Sequence, residues 1–180
     1  MRLRLTKLLD LLSKGKKREL REQREAPSHK LDTIGEYKKI MKVRDALKIT
    51  GSLSKPSKMP GWAYGLPAKE CKTGGKLQKV PGSVCFDCYA LKGCYVFKVV
   101  QDAQYFRLKA IRHPLWTGAM AKIINSKKSK FFRWHDSGDV QDEDHLIKIF
   151  SVCRLTPTVK HWMPTREAWV TAESDQRAPL

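Results

Sequence analysis

The chain has 180 residues and sets 36 Lys and Arg against 18 Asp and Glu, a formal charge of +18. That length suits one domain with its own core plus a tail, and a field of that sign attracts polyanions such as nucleic acid. No run of about 18 apolar residues and no small-residue cleavage site after the first segment is present, and five cysteines are an odd number, clustered rather than spread, so neither a spanning protein nor a disulfide-framed secreted domain is expected, and a soluble cytoplasmic one is.

Residues 1 to 60 carry 17 basic and 7 acidic side chains, residues 61 to 180 carry 19 and 11. Leu5, Leu8, Leu9 and Leu12 recur at helical spacing before the charged run KGKKRELREQRE, which predicts a short amphipathic helix able to dock on a protein partner, followed by a solvated stretch. A weaker helical pattern covers residues 34 to 47, and GSLSKPSKMPG at 51 to 61 reads as a linker or irregular arm. The division expected is a basic, partly helical N-terminal arm at 1–60, a cysteine-loop α/β domain at 61–170, and a tail at 171–180.

Between 97 and 111 the apolar positions Val100, Ala103, Phe106, Leu108 and Ile111 predict a helix, stopped by His113 and Pro114. A second helix follows over 115 to 125, with Trp116, Ala119, Met120, Ile123 and Ile124 along one side. The aromatic run KFFRWH predicts a strand that ends in the turn DSGD. A helix over 141 to 154 then leads, past Thr156 and Pro157, into the strand VKHWM. A strand, helix, strand unit forms two parallel strands, so DSGD and PTRE should share one face at the strands' C-terminal ends.

Four of the cysteines lie in CKTGGKLQKVPGSVCFDCYALKGC, at positions 71, 85, 88 and 94. Cys71, Cys85 and Cys88 have the spacing C-x13-C-x2-C, and soft thiolates in this number suit zinc or an iron–sulfur cluster. Four ligands favour a closed zinc site, whereas three leave one cluster iron open, so Cys94 decides between them. The lysines at 69, 72, 76, 79 and 92 are expected to offset thiolate charge and lower thiol pKa values. His135 and Asp136, at the end of the first strand, are candidates for acid–base work. Asp139 or Asp142 is expected to cap the next helix. Arg166 offers a two-pronged contact to a ligand carboxylate, or a bridge to Glu167 or Asp136, and Asp136 offers a partner for an amine or hydroxyl. Of the aromatics Trp62, Tyr64, Tyr89 and Tyr95, most are expected to be core.

Three motifs in order, GWAYGLPAKECKTGGKLQKVPGSVCFDCYALKG, FFRWHDSGD and VKHWMPTRE, resemble the phage gene 88 protein family. That family looks like a distant relative of radical S-adenosylmethionine enzymes. The resemblance implies a partial (β/α) barrel-like parallel sheet, with a [4Fe-4S] cluster on Cys71, Cys85 and Cys88. It also implies Tyr89, or Phe86, near the adenine of S-adenosylmethionine.

The expectation is therefore an iron–sulfur, radical-SAM-like protein of phage or mobile-element origin, acting on or with nucleic acid in a bacterial host's cytoplasm. The alternatives are a zinc-stabilised, basic nucleic-acid-binding module without catalysis, or a virion or assembly component.

Overall fold

The computed structural model describes residues 41–170. The expectations for residues 1–40, among them the leucine-rich helix and its protein partner, fall outside the described residues, as does the tail at 171–180.

The first described helix, α1, spans Val43–Thr50 and overlaps the end of the pattern over 34 to 47, whose residues before 41 lie outside the described ones. It closes at Gly51, whose φ of 77° suits a residue without a side chain. Ala46 and Thr50 are fully buried, and α1 packs on the long apolar helix that follows later in the chain. The core thus reaches back beyond Trp62, where the sequence suggested that the fold begins. The stretch from 51 to 61 is irregular, as expected, yet Leu53 is buried in the core.

Three short strands follow, β1 at Trp62–Tyr64, β2 at Phe131–Trp134 and β3 at Lys160–Trp162. They form a parallel sheet in the order β1-β2-β3. The pairing of Phe131 with Lys160 joins the two strands that the sequence predicts as neighbours. β1, which the sequence reading did not find, pairs with β2 through Tyr64 and Trp134. The chain is α/β, and the described strands form an open sheet rather than a closed barrel.

Around the sheet lie α2 at Lys72–Leu77, α3 at Lys98–Ala110, α4 at Trp116–Ser126 and α5 at Glu143–Leu155. α4 is buried on nearly all sides because it packs against both α1 and α5. Its Trp116 meets Tyr64 edge-on at 5.8 Å, and Trp116 Nε1 donates to the Tyr64 hydroxyl at 3.2 Å. That hydroxyl in turn donates to Thr50 O at 2.7 Å, so both of these polar tips carried into the core have partners. In α3 the buried residues are Gln104, Arg107 and Ala110, while Phe106 is about half exposed. The apolar pattern holds at Ile111, which is buried, and at Leu108, which packs on the core; it fails at Phe106, and Arg107 takes an inner place because its Nη1 donates to Gly65 O at 3.1 Å, just past the end of β1.

No described helix is long and apolar enough to cross a membrane.

Candidate functional site

Parallel strands present their C-terminal ends on one edge, and here that edge is laced together by hydrogen bonds. Leu66 N–H donates to Ser137 O at 2.8 Å and the Ser137 hydroxyl donates to Leu66 O at 2.9 Å. Arg166 N–H donates to Asp139 Oδ2 at 2.8 Å. DSGD and PTRE are therefore neighbours, as the sequence reading required. Asp139 holds this corner by also accepting from Val140 N–H at 2.7 Å. The cap of α5 is Asp142, whose carboxylate accepts from His145 N–H at 2.9 Å.

The cysteine segment is tied to the same edge by Glu167. Its carboxylate accepts from Thr73 N–H at 2.9 Å, from the Thr73 hydroxyl at 2.8 Å and from Trp169 Nε1 at 3.2 Å. Burial works against its charge, but the Thr73 bonds, the Trp169 bond and nearby Lys72 outweigh it and lower its pKa. Thr73 lies in the first turn of α2, directly after Cys71, so Glu167 fixes where Cys71 sits. The bare backbone of Gly74 matters next. A Cβ there would stand 3.1 Å from Cys71 Cβ, 3.6 Å from Cys85 Sγ and 3.7 Å from Cys71 Sγ. Two thiols thus border one spot that a larger residue would fill.

Burial, followed by the charges of Asp139, Cys88, Cys85 and Glu167, pushes the Cys71 thiol up to about 12. Cys88 is thereby the third thiol within electrostatic reach of Cys71. The lysines were expected to lower the thiols; at Cys71 the opposite holds, because burial raises its pKa and the charges of Asp139 and Glu167, from distant parts of the sequence, add to the rise. Lys92 is engaged by Asp87 instead. Cys94 is exposed on a separate 3-10 turn, Gly93–Val96. Among the described residues no three His, Cys, Asp or Glu side chains converge on a site for one ion.

Asp136 is buried beside this group. Its carboxylate accepts from the Ser54 hydroxyl at 3.3 Å and from the Tyr95 hydroxyl at 3.4 Å. Gly65 permits the approach, since a Cβ there would lie 2.5 Å from Asp136 Oδ1. Burial raises the Asp136 pKa, and Arg107, Ser54 and Arg133 work against that rise. The Tyr89 hydroxyl donates to Asp136 O, and its ring meets Tyr95 edge-on at 5.8 Å. Tyr89 and Asp136 are brought together; Phe86 is exposed nearby in sequence and makes no such bond. Arg166 enters only through its backbone, and its exposed side chain forms no ion pair with a described residue. An open groove of about 310 Å³ runs beside Tyr89 and Tyr95, lined also by Asp87, Lys92, Gly93 and Cys94. Neither Asp136 nor Arg166 lines it.

His135 lies under the edge. Its backbone adopts φ 59°, and neither ring nitrogen has a hydrogen-bond partner among the described residues. The ring packs at 5.4 Å against His145, which is also buried. Burial, then His145 and Arg133, drive the His135 pKa far down. Burial likewise drives His145 down to about 3, against the pull of Asp142. Unfolded, His145 gains its proton near its ordinary value of 6.5; folded, only near 3. The unfolded state binds more protons across that window, so stability falls as pH drops from 6.5 towards 3. The urea midpoint should therefore be lower at pH 5 than at pH 7, and a His145→Gln variant should show a smaller difference between the two. An unchanged difference would assign the acid sensitivity to other groups.

Gly65, Gly74, Ser54 and Arg107 were not singled out in the sequence. Only the two glycines carried a signal, as small residues within the first of the three motifs. The sequence matches the family described as gene product 88 over residues 13–178, and the chain belongs to that family. No curated protein and no solved structure matches it.

Proposed function

We propose that this gene product 88 family protein holds a [4Fe-4S] cluster on Cys71, Cys85 and Cys88, at the C-terminal edge of its parallel sheet, and binds a small amino-acid-like ligand beside it. The observation that supports this reading is the pair of thiols at Gly74. Cys71 and Cys85 border the bare Gly74, Cys88 acts on Cys71 electrostatically, and Cys94 stands apart and exposed. Three thiols rather than four favour a cluster with one open iron over a closed zinc site, which takes four ligands at about 2.3 Å from one centre.

The donor set fits the group chemically. Cys71 keeps its proton at neutral pH in its present surroundings, and no lysine compensates it, so a bound cation is what would hold the thiolate. A bound cluster would supply single electrons and an open iron coordination position. The chain's own residues do the rest: Glu167 fixes Cys71 through Thr73, Asp136 offers a buried carboxylate to an amine or hydroxyl, and Tyr89 covers the strand end. Arg166 has an exposed guanidinium that pairs with no described residue, which a ligand carboxylate could meet. S-adenosylmethionine is the ligand of this kind to try, consistent with a radical-SAM-like protein of phage origin.

Calorimetric titration of the anaerobic, iron-loaded protein tests the ligand. Wild type should bind S-adenosylmethionine, and folded Asp136→Asn and Arg166→Gln variants should each bind roughly tenfold or more weakly, the worth of a lost charged hydrogen bond. No binding by the iron-loaded wild type would remove the ligand from the proposal and leave the cluster.

A further inference from the structure

The opposite edge of the sheet has a different chemistry. There the strands begin at Trp62, Phe131 and Lys160, aligned by the pairings of Trp62 with Phe132 and of Phe131 with Lys160. Lys160 N–H donates to Lys130 O at 2.8 Å. Gly61, at φ 81°, brings the loop before β1 against Phe131 O so closely that a Cβ would stand 2.2 Å from it. Over the Trp62 ring sit two ammonium groups, Lys127 Nζ at 4.2 Å and Lys55 Nζ at 5.6 Å from its centre. Lys128 is exposed beside Lys127, in a left-handed turn of φ 50°.

We propose that this N-terminal edge is a binding face for the phosphates of nucleic acid, built from Lys55, Lys127, Lys128, Lys130 and Lys160 around Trp62. None of the five forms an ion pair among the described residues, although other basic residues of the chain do. The sequence explains this: no Asp or Glu occurs at 46–69, at 103–135 or at 145–166, the stretches that feed this edge. An indole face attracts an exposed cation by about 0.5–1 kcal/mol but removes none of its charge. The helix dipole at the end of α4 favours Lys127 and Lys128 by similarly little. The repulsion among gathered ammonium groups is thus left for a polyanion to relieve.

An extended polymer fits better than a single small anion. The lysines come from two loops and the start of β3 along an open edge, and the cavities beside Tyr95 lie elsewhere. Phe131, partly exposed within the row, adds a surface for sugar or base contact. This face is independent of the cysteine site at the other end of the strands, so failure of either proposal leaves the other intact.

The test is the salt dependence of binding of the full chain to a short fluorescent DNA duplex. Each lost phosphate contact lowers the slope of log affinity against log salt by about 0.9. A Lys127→Gln, Lys128→Gln, Lys130→Gln variant should lower it by roughly 2 to 3. A Lys76→Gln, Lys79→Gln, Lys98→Gln variant loses the same charge outside those stretches and should stay close to wild type. Circular dichroism checks that both remain folded. Equal losses in the two variants would mean a general field rather than a face, and an unchanged slope in the first would place the contacts elsewhere; either overturns the proposal. So would binding to vesicles containing anionic lipid with none to DNA.

Discussion

Cys71→Ala protein, prepared without oxygen, is expected to retain no iron, and Cys85→Ala and Cys88→Ala are expected to behave alike. A cluster on three thiolates has no spare ligand, and the remaining cysteines are poorly placed to replace one. Cys94 is exposed on its own turn and Cys153 packs against the core from α5. Cys94→Ala and Cys153→Ala should accordingly keep the wild-type iron content. The contrast between three losses and two retentions is what distinguishes a ligand set from a general effect of removing thiols. Full retention by Cys71→Ala would take that residue out of the site, and loss of iron in Cys94→Ala would make it a ligand.

The second large effect concerns the backbone that brings the strand ends together. Gly138, at φ 76°, lies so close to the segment after β1 that a Cβ would stand 2.7 Å from Leu66 Cβ, 2.7 Å from Leu66 O and 2.8 Å from Leu66 C. Two of those atoms are backbone and cannot swing away. Gly138→Ala combines a left-handed conformation, roughly 1–2 kcal/mol, with an overpacking cost of roughly 1–3 kcal/mol. A loss near 3 kcal/mol in urea unfolding is expected. Gly82→Ala is the control, because Gly82 has a similar φ of 79° but nothing within 4 Å of its added Cβ. It should cost only the conformational part. Equal losses for the two would mean that the approach to Leu66 relaxes freely.

Gly138 also marks how far the sequence could be read. DSGD announced a turn after a strand, and the aromatic run, the helical periodicity and the Thr156-Pro157 stop made β2, α5 and β3 legible, together with the nearness of Asp139 and Arg166. What lay against the turn was not legible. β1 is three residues long, too short for an alternation to appear, and its partner strand lies far along the sequence, with Trp62 opposite Phe132. The periodicity of α3 misled at Phe106 for a related reason. Burial of Arg107 depends on Gly65 O and on Asp136, neither of which its own helix announces.

At the site, the spacing grouped Cys71 with Cys85 and Cys88 but left the place of Cys94 open. The charge environment was read from neighbours in sequence, the lysines, whereas Cys71 feels Asp139 and Glu167, which follow it by many residues. Sequence proximity is a poor guide to an electrostatic field that falls off with distance in space.

The central claim, a cluster on three thiols, is tested most directly by metal and sulfide analysis of anaerobically prepared wild-type protein, with electron paramagnetic resonance after reduction. The account predicts iron and acid-labile sulfide in equal amounts and the signal of a reduced [4Fe-4S] cluster. Stoichiometric zinc in a colourless protein, without iron or sulfide, would contradict it.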